Sequence, residues 1–284
     1  MILQISFRKV ARRLTGFVLC LSLAGVVSEV ILSSLAPGTY RGLAELLRRF
    51  LLNGELTIPA WYSSVALLAC ASLLGIISYA KRKTASPYFT HWAVLAALFV
   101  FLSIDEMTAL HEMLIDPIRR RLGTHGLLYY AWVIPGFAFV FGFVLAYWQF
   151  LFFHLDRKTR WRFVLAGAIF VTGALGLEMP EGAIHEQYGT HDVRYQACVT
   201  VEETFEMLGV VLFMYSLMAY IASSLGEVHI RFVDEAREKL VSGTRLESGW
   251  DPDAQELAAA LHDEGLEIDP QSLPARNDPH QSRT

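Results

Sequence analysis

Six runs of about twenty apolar residues decide what this chain can fold into, because each is long enough to cross a bilayer. They are residues 14–36, 58–80, 91–110, 127–153, 161–178 and 195–223. In hydrocarbon every backbone N–H and C=O must be satisfied inside its own segment, so runs of this kind become helices. The composition agrees: 54% of residues are hydrophobic and only 18% are charged, where a soluble domain carries about 25% charge. The expected class is all-α, a polytopic integral membrane bundle of six transmembrane helices.

The first run could be read as a secretory signal. It is longer than the 7–15 residues of a signal's apolar core, contains Glu29 and places Pro37 after Ser34-Leu35-Ala36. It reads as a span that is retained. Residues 40–53 set Leu43, Leu46, Leu47, Phe50 and Leu51 at helical spacing against Arg41, Glu45, Arg48 and Arg49. That pattern suits an amphipathic helix in the interface, or equally a packed surface helix. Residues 1–226 form the six-span domain. Residues 227–284 form a polar, acidic tail, expected to be partly helical and disordered after Asp269.

Basic residues set the orientation. One side of the six spans receives fourteen Lys and Arg, and the other receives seven. Both termini are therefore expected in the cytoplasm of a bacterial-type inner membrane. The triple arginine Arg119–Arg121 lies on the poorer side and runs against the rule.

Three apolar runs adjoin acid-rich stretches. The third ends in Ser103-Ile104-Asp105-Glu106-Met107-Thr108-Ala109-Leu110-His111-Glu112, and the fifth in Glu178-Met179-Pro180-Glu181-Gly182-Ala183-Ile184-His185-Glu186. The sixth opens with Glu202-Glu203-Thr204-Phe205-Glu206. Ionisable groups inside a membrane are costly and mark functional sites. Asp105 lies 14 residues past His91, roughly 21 Å along a helix. Glu178, counted from Phe163, and Glu206, counted back from Ser223, reach roughly 22 Å and 25 Å. Three separate helices thus bring carboxylates to one level.

On a straight helix Glu178, Glu181 and His185 share a narrow stripe, and Glu202 and Glu206 share a face, as do Glu203 and Glu206. Glu106 and His111 point away from Asp105 on that geometry. Pro180 is expected to bend or restart the fifth helix. Met179 to Arg194 reads as a polar connection, and the stretch around Arg119–Arg121 as a polar loop.

The candidate site is Asp105, Glu106, His111, Glu178, Glu181, His185, Glu202 and Glu206. Carboxylates and histidines projecting from several helices can hold a divalent ion or a di-metal centre. Oxygen-rich donors favour iron or manganese, the two histidines admit zinc, and Met107, Met113, Met179 and Met207 nearby admit copper. No Glu-x-x-His occurs in the three stretches, so the match to the di-metal pattern is partial. This reading gives a metal-dependent membrane enzyme, an oxidase or hydroxylase acting on a lipid or quinone. The alternative is a proton-coupled carrier or ion-binding sensor, built from the same intramembrane acids. The plainest reading makes the acids solvated helix ends, which suits Glu112, Glu186, His125, His191 and Asp192 best. Three cysteines without CxxC spacing read as packed small hydrophobes. No phosphate loop, nucleophile elbow, zinc-binding His-Glu-x-x-His or nucleic-acid motif is present, and the bilayer is the expected partner.

The phrase Leu102-Ser103-Ile104-Asp105-Glu106, followed by His111-Glu112, resembles one found in uncharacterised bacterial multipass membrane proteins. The resemblance covers this stretch, together with the Glu-rich start of the sixth run, and implies no activity.

Overall fold

The computed structural model describes residues 6–35, 40–54 and 56–226. The chain divides into two units, Met1–Glu227 and Val228–Thr284, and the second lies outside the described residues. The expectations for the tail fall there.

Among the described residues the protein is helical, with no strand. Its α-helices are α1 (Phe7–Ser34), α2 (Arg41–Arg48), α3 (Ile58–Lys83), α4 (Phe89–Thr108) and α5 (Ile115–Leu122). They are followed by α6 (Val133–Gln149), α7 (Arg157–Val171), α8 (Glu178–Tyr188) and α9 (Val193–Ser224). Six spans are long and apolar enough to cross a membrane: α1, α3, α4, residues 133–154, residues 157–188 and α9. The protein is a multipass helical bundle.

Local chemistry sets the helix ends. Thr57 caps α3, its hydroxyl accepting from Ala60 N, and Pro59 sits in the first turn, where its missing N–H is harmless. Asp156 caps α7 through the amides of Lys158 and Thr159, and Asp192 caps α9 through Arg194 N. Lys81, Arg82 and Lys83 close α3, where cations meet the negative end of the helix dipole.

α9 is the central element. Of its most apolar stretch 56% is buried, more than in any other span, and it packs against α1, α3, α7 and α8. Gly209 permits the close approach of α7: a Cβ there would stand 2.9 Å from Phe170 N and 3.0 Å from its Cα. α3 and α4 form a tight antiparallel pair. Ser64 Oγ donates to Ser103 O at 2.7 Å and Ser103 Oγ to Ser64 O at 2.9 Å, a reciprocal polar clasp between the two helices. α6 lies outermost, with Phe137, Phe139, Phe141 and Leu145 exposed, as lipid-facing residues should be.

Two expectations are corrected here. Residues 179–194 are not simply a polar connection: α8 continues the fifth span to Tyr188. The stretch 115–122 is a short helix rather than a loop, ended by Gly123 in the left-handed region at φ 62°. Both helices are polar, so hydropathy alone underestimates them. Pro180 does not end the span, because the helical run continues past it through α8 to Tyr188. The irregularity comes earlier, in a π-helical stretch at residues 172–177.

A membrane-embedded acid cluster

Asp105 and Glu106 occupy the last turn of α4. The helix stops because Ala109 turns into the left-handed region at φ 45° and its amide caps Asp105 O. The chain then doubles back. His111 donates its amide to Asp105 Oδ1 at 2.9 Å, and its Nδ1 meets Asp105 Oδ2 at 2.7 Å. A straight helix places His111 on another face from Asp105; the turn at Ala109 overrides that geometry. The imidazole packs against Trp132, with ring centroids 4.4 Å apart. Trp132 Nε1 in turn donates to Glu178 Oε1 at 3.0 Å.

Glu106 also joins the cluster, contrary to the straight-helix expectation. Its carboxyl faces the Ser63 hydroxyl of α3 and lies beside Asp105 and within electrostatic reach of Glu203 and Glu206.

The π-helical stretch brings the second set of acids against α9. A Cβ on Gly173 would stand 2.8 Å from Glu206 Cγ and 2.9 Å from Glu202 O, so only glycine fits this approach. Beyond it Glu178 and Glu181 lie in the first turn of α8. Glu181 and Glu202 are both buried, at 6% and 7% exposure, and their carboxyls adjoin each other. Oε2 of Glu181 has no hydrogen-bond partner. Ten residues of α8 follow Glu178, roughly 15 Å of helix.

His185 stands apart from these carboxyls. Its Nδ1 meets Tyr130 OH at 2.6 Å, and Tyr130 OH lies 3.5 Å from Tyr195 OH. The Tyr195 hydroxyl faces Glu181. The sequence of contacts is therefore His185, Tyr130, Tyr195, Glu181, Glu202, from a half-buried imidazole to two buried acids. Glu186 lies at the exposed end, accepting from Gly126 N at 2.6 Å and meeting His125 Nδ1 at 2.8 Å.

Asp105, Glu106, Glu178, Glu181, Glu202 and Glu206 come together, with Glu203 added; His111 is tied to Asp105, and His185 is reached through two tyrosines. Among the described residues, no three His, Cys, Asp or Glu side chains are arranged to hold one metal ion. None of the seven acids forms an ion pair with a Lys or Arg among the described residues. Tyr130, Trp132 and Tyr195 stand outside the sequence-based candidates, and Glu203, noted on the face of Glu206, is not counted in the candidate site. Tyr195 lies seven residues before Glu202, two helical turns on the same face, which is a usable signal. Tyr130 and Trp132 arrive through the chain between α5 and α6, and no spacing announces them.

The helical bundle defines a multipass membrane protein, and buried acids gather between its helices. Residues 13–221 match a family described as a domain of unknown function, DUF8692, and the chain belongs to that family. Comparison with curated proteins and with solved structures gives no match.

Proposed function

We propose that this protein is a proton-coupled membrane carrier whose acid cluster takes up and releases cations, protons first among them. The observation that carries the reading is the run His185–Tyr130–Tyr195–Glu181–Glu202, which links a half-buried imidazole to two adjoining buried carboxyls. Two carboxylates side by side in a poor solvent cannot both be ionised unless a cation lies with them. No Lys or Arg among the described residues supplies that charge by an ion pair. A proton or a mobile cation is the remaining partner. Titratable groups in a row are also the parts from which membrane proton relays are made.

The basic bias supports an orientation with both termini in the cytoplasm and the acid end of the bundle outside, in a bacterial-type inner membrane. Reconstitution into sealed vesicles tests the carrier. An imposed pH gradient should collapse faster than in protein-free vesicles, and Glu202→Gln should return the rate to the protein-free value. Collapse no faster than without protein, under gradients of pH and of potential, contradicts the reading.

A second reading rests on Asp105 and His111. Histidines that bind metals commonly give their other ring nitrogen to a carboxylate, and His111 Nδ1 is engaged in this way with Asp105. On this reading the oxygen-rich cluster serves a membrane oxidase or hydroxylase holding iron or manganese, with zinc or copper as lesser choices, and a lipid or quinone as substrate. Elemental analysis of purified protein separates the two: a stoichiometric transition metal supports the enzyme, and its absence from active vesicles supports the carrier.

A further inference from the structure

At the opposite end of the bundle, α1 begins, α7 begins and α9 ends around a cavity of about 430 Å³. Arg8, Lys158 and Arg162 contribute three cations to its lining, and Thr159, Tyr215 and Ser223 contribute hydroxyls. Asp156 also lines it, but its carboxylate is engaged in capping α7, accepting from Lys158 N at 3.0 Å and Thr159 N at 3.1 Å. The Thr159 hydroxyl and these amides hold the Asp156 carboxyl below the usual carboxylate range, so it remains an anion. Three cations against one acid leave the lining with an excess of two positive charges.

One of the cations is held against an aromatic ring. The Arg162 guanidinium lies 5.2 Å from the centroid of the Tyr215 ring, and Phe7 packs against that ring at 5.5 Å. Phe7 and Ala219 give the cavity an apolar wall beside its basic one. Trp161 and Phe153 are exposed near the start of α7, and aromatic side chains at span ends mark the level of the lipid headgroups. A site at this level with clustered cations, hydroxyl donors and an apolar wall matches a phosphate that carries acyl chains.

We propose that this cavity binds the phosphate headgroup of an anionic glycerophospholipid from the leaflet in which α1 and α7 begin. Arg8, Lys158 and Arg162 neutralise the phosphate, the Tyr215 hydroxyl donates to one of its oxygens, and the glycerol backbone lies against Phe7. Free phosphate would meet the same cations but gains nothing from the apolar wall.

Native mass spectrometry of the full-length protein in detergent tests the site with phosphatidylglycerol, phosphatidylcholine and inorganic phosphate. Phosphatidylglycerol should be retained about tenfold more than phosphatidylcholine. Lys158→Gln keeps the Asp156 cap, which uses backbone amides, and should lower phosphatidylglycerol retention about fivefold. Arg82→Gln removes a cation that does not line the cavity and should leave retention unchanged; the melting temperature of each variant without lipid checks that it folds. Equal retention of the two lipids, or equal losses in the two variants, overturns the proposal. Inorganic phosphate raising the melting temperature as much as phosphatidylglycerol does would reassign the cavity to free phosphate and overturn the lipid.

Discussion

Asp105 illustrates how a carboxylate is kept at the end of an apolar helix. Both of its oxygens are used by His111, one through the amide and one through the ring. Asp105→Asn keeps the shape but weakens the charge-assisted half of this pairing, and should cost about 2 kcal/mol. Thermal unfolding in detergent measures it, and an unchanged melting temperature would mean that the turn at Ala109 holds without the carboxylate. Asp192 gives a pH-dependent prediction outside the spans. The Arg194 guanidinium and amide hold its carboxyl down to about 2, below the ordinary aspartate value. A depressed carboxyl stabilises the fold at pH values above the unfolded-state pKa, near 4, and loses that contribution as pH falls through about 2. The difference in melting temperature between wild type and Asp192→Asn should therefore be steady near neutrality and shrink across that window. A difference that grows on acidification contradicts the assignment.

The approach of α7 to α9 depends on glycine: Gly209 faces the Phe170 backbone, and Gly173 faces Glu206 and Glu202 O. Gly209→Ala must push α7 away, at a cost of about 1–3 kcal/mol, while Gly75→Ala has open space and should be neutral or slightly stabilising. Comparing the two melting temperatures tests whether close packing, rather than glycine content, matters. The spans themselves were legible, because twenty apolar residues have one stable form in lipid. The acids on α4, α8 and α9 were legible as well, since charge inside an apolar run stands out. What escaped was irregular backbone. The left-handed turn at Ala109 reverses the face on which His111 arrives, and the π-helical stretch at 172–177 brings Gly173 against α9. Neither has a marker in hydropathy, and an alanine gives no hint of a left-handed conformation. The extension of α8 to Tyr188 was missed because its residues are polar and its apolar neighbours belong to other elements.

Across the whole molecule, the two ends differ in charge. The acids gather where α4 ends and α9 begins, and the cations Arg8, Lys158 and Arg162 gather where α1 and α7 begin. Basic residues favour the cytoplasmic side, so reporter fusions after Lys83, Arg160 and Ser223 should report cytoplasm, and fusions near Thr124 and Gly189 the outside. A cytoplasmic signal at Thr124 would contradict the orientation. The central claim is that the acid cluster carries bound protons in place of basic partners. Infrared absorption of the purified protein in heavy water at neutral pH tests it most directly, because a protonated carboxyl has a C=O band that a carboxylate lacks. The account predicts such a band in the wild-type protein, unaltered by chelators and reduced in Glu202→Gln. A spectrum without that band, both before and after chelation, would show that every carboxyl in the cluster is ionised and would contradict the account.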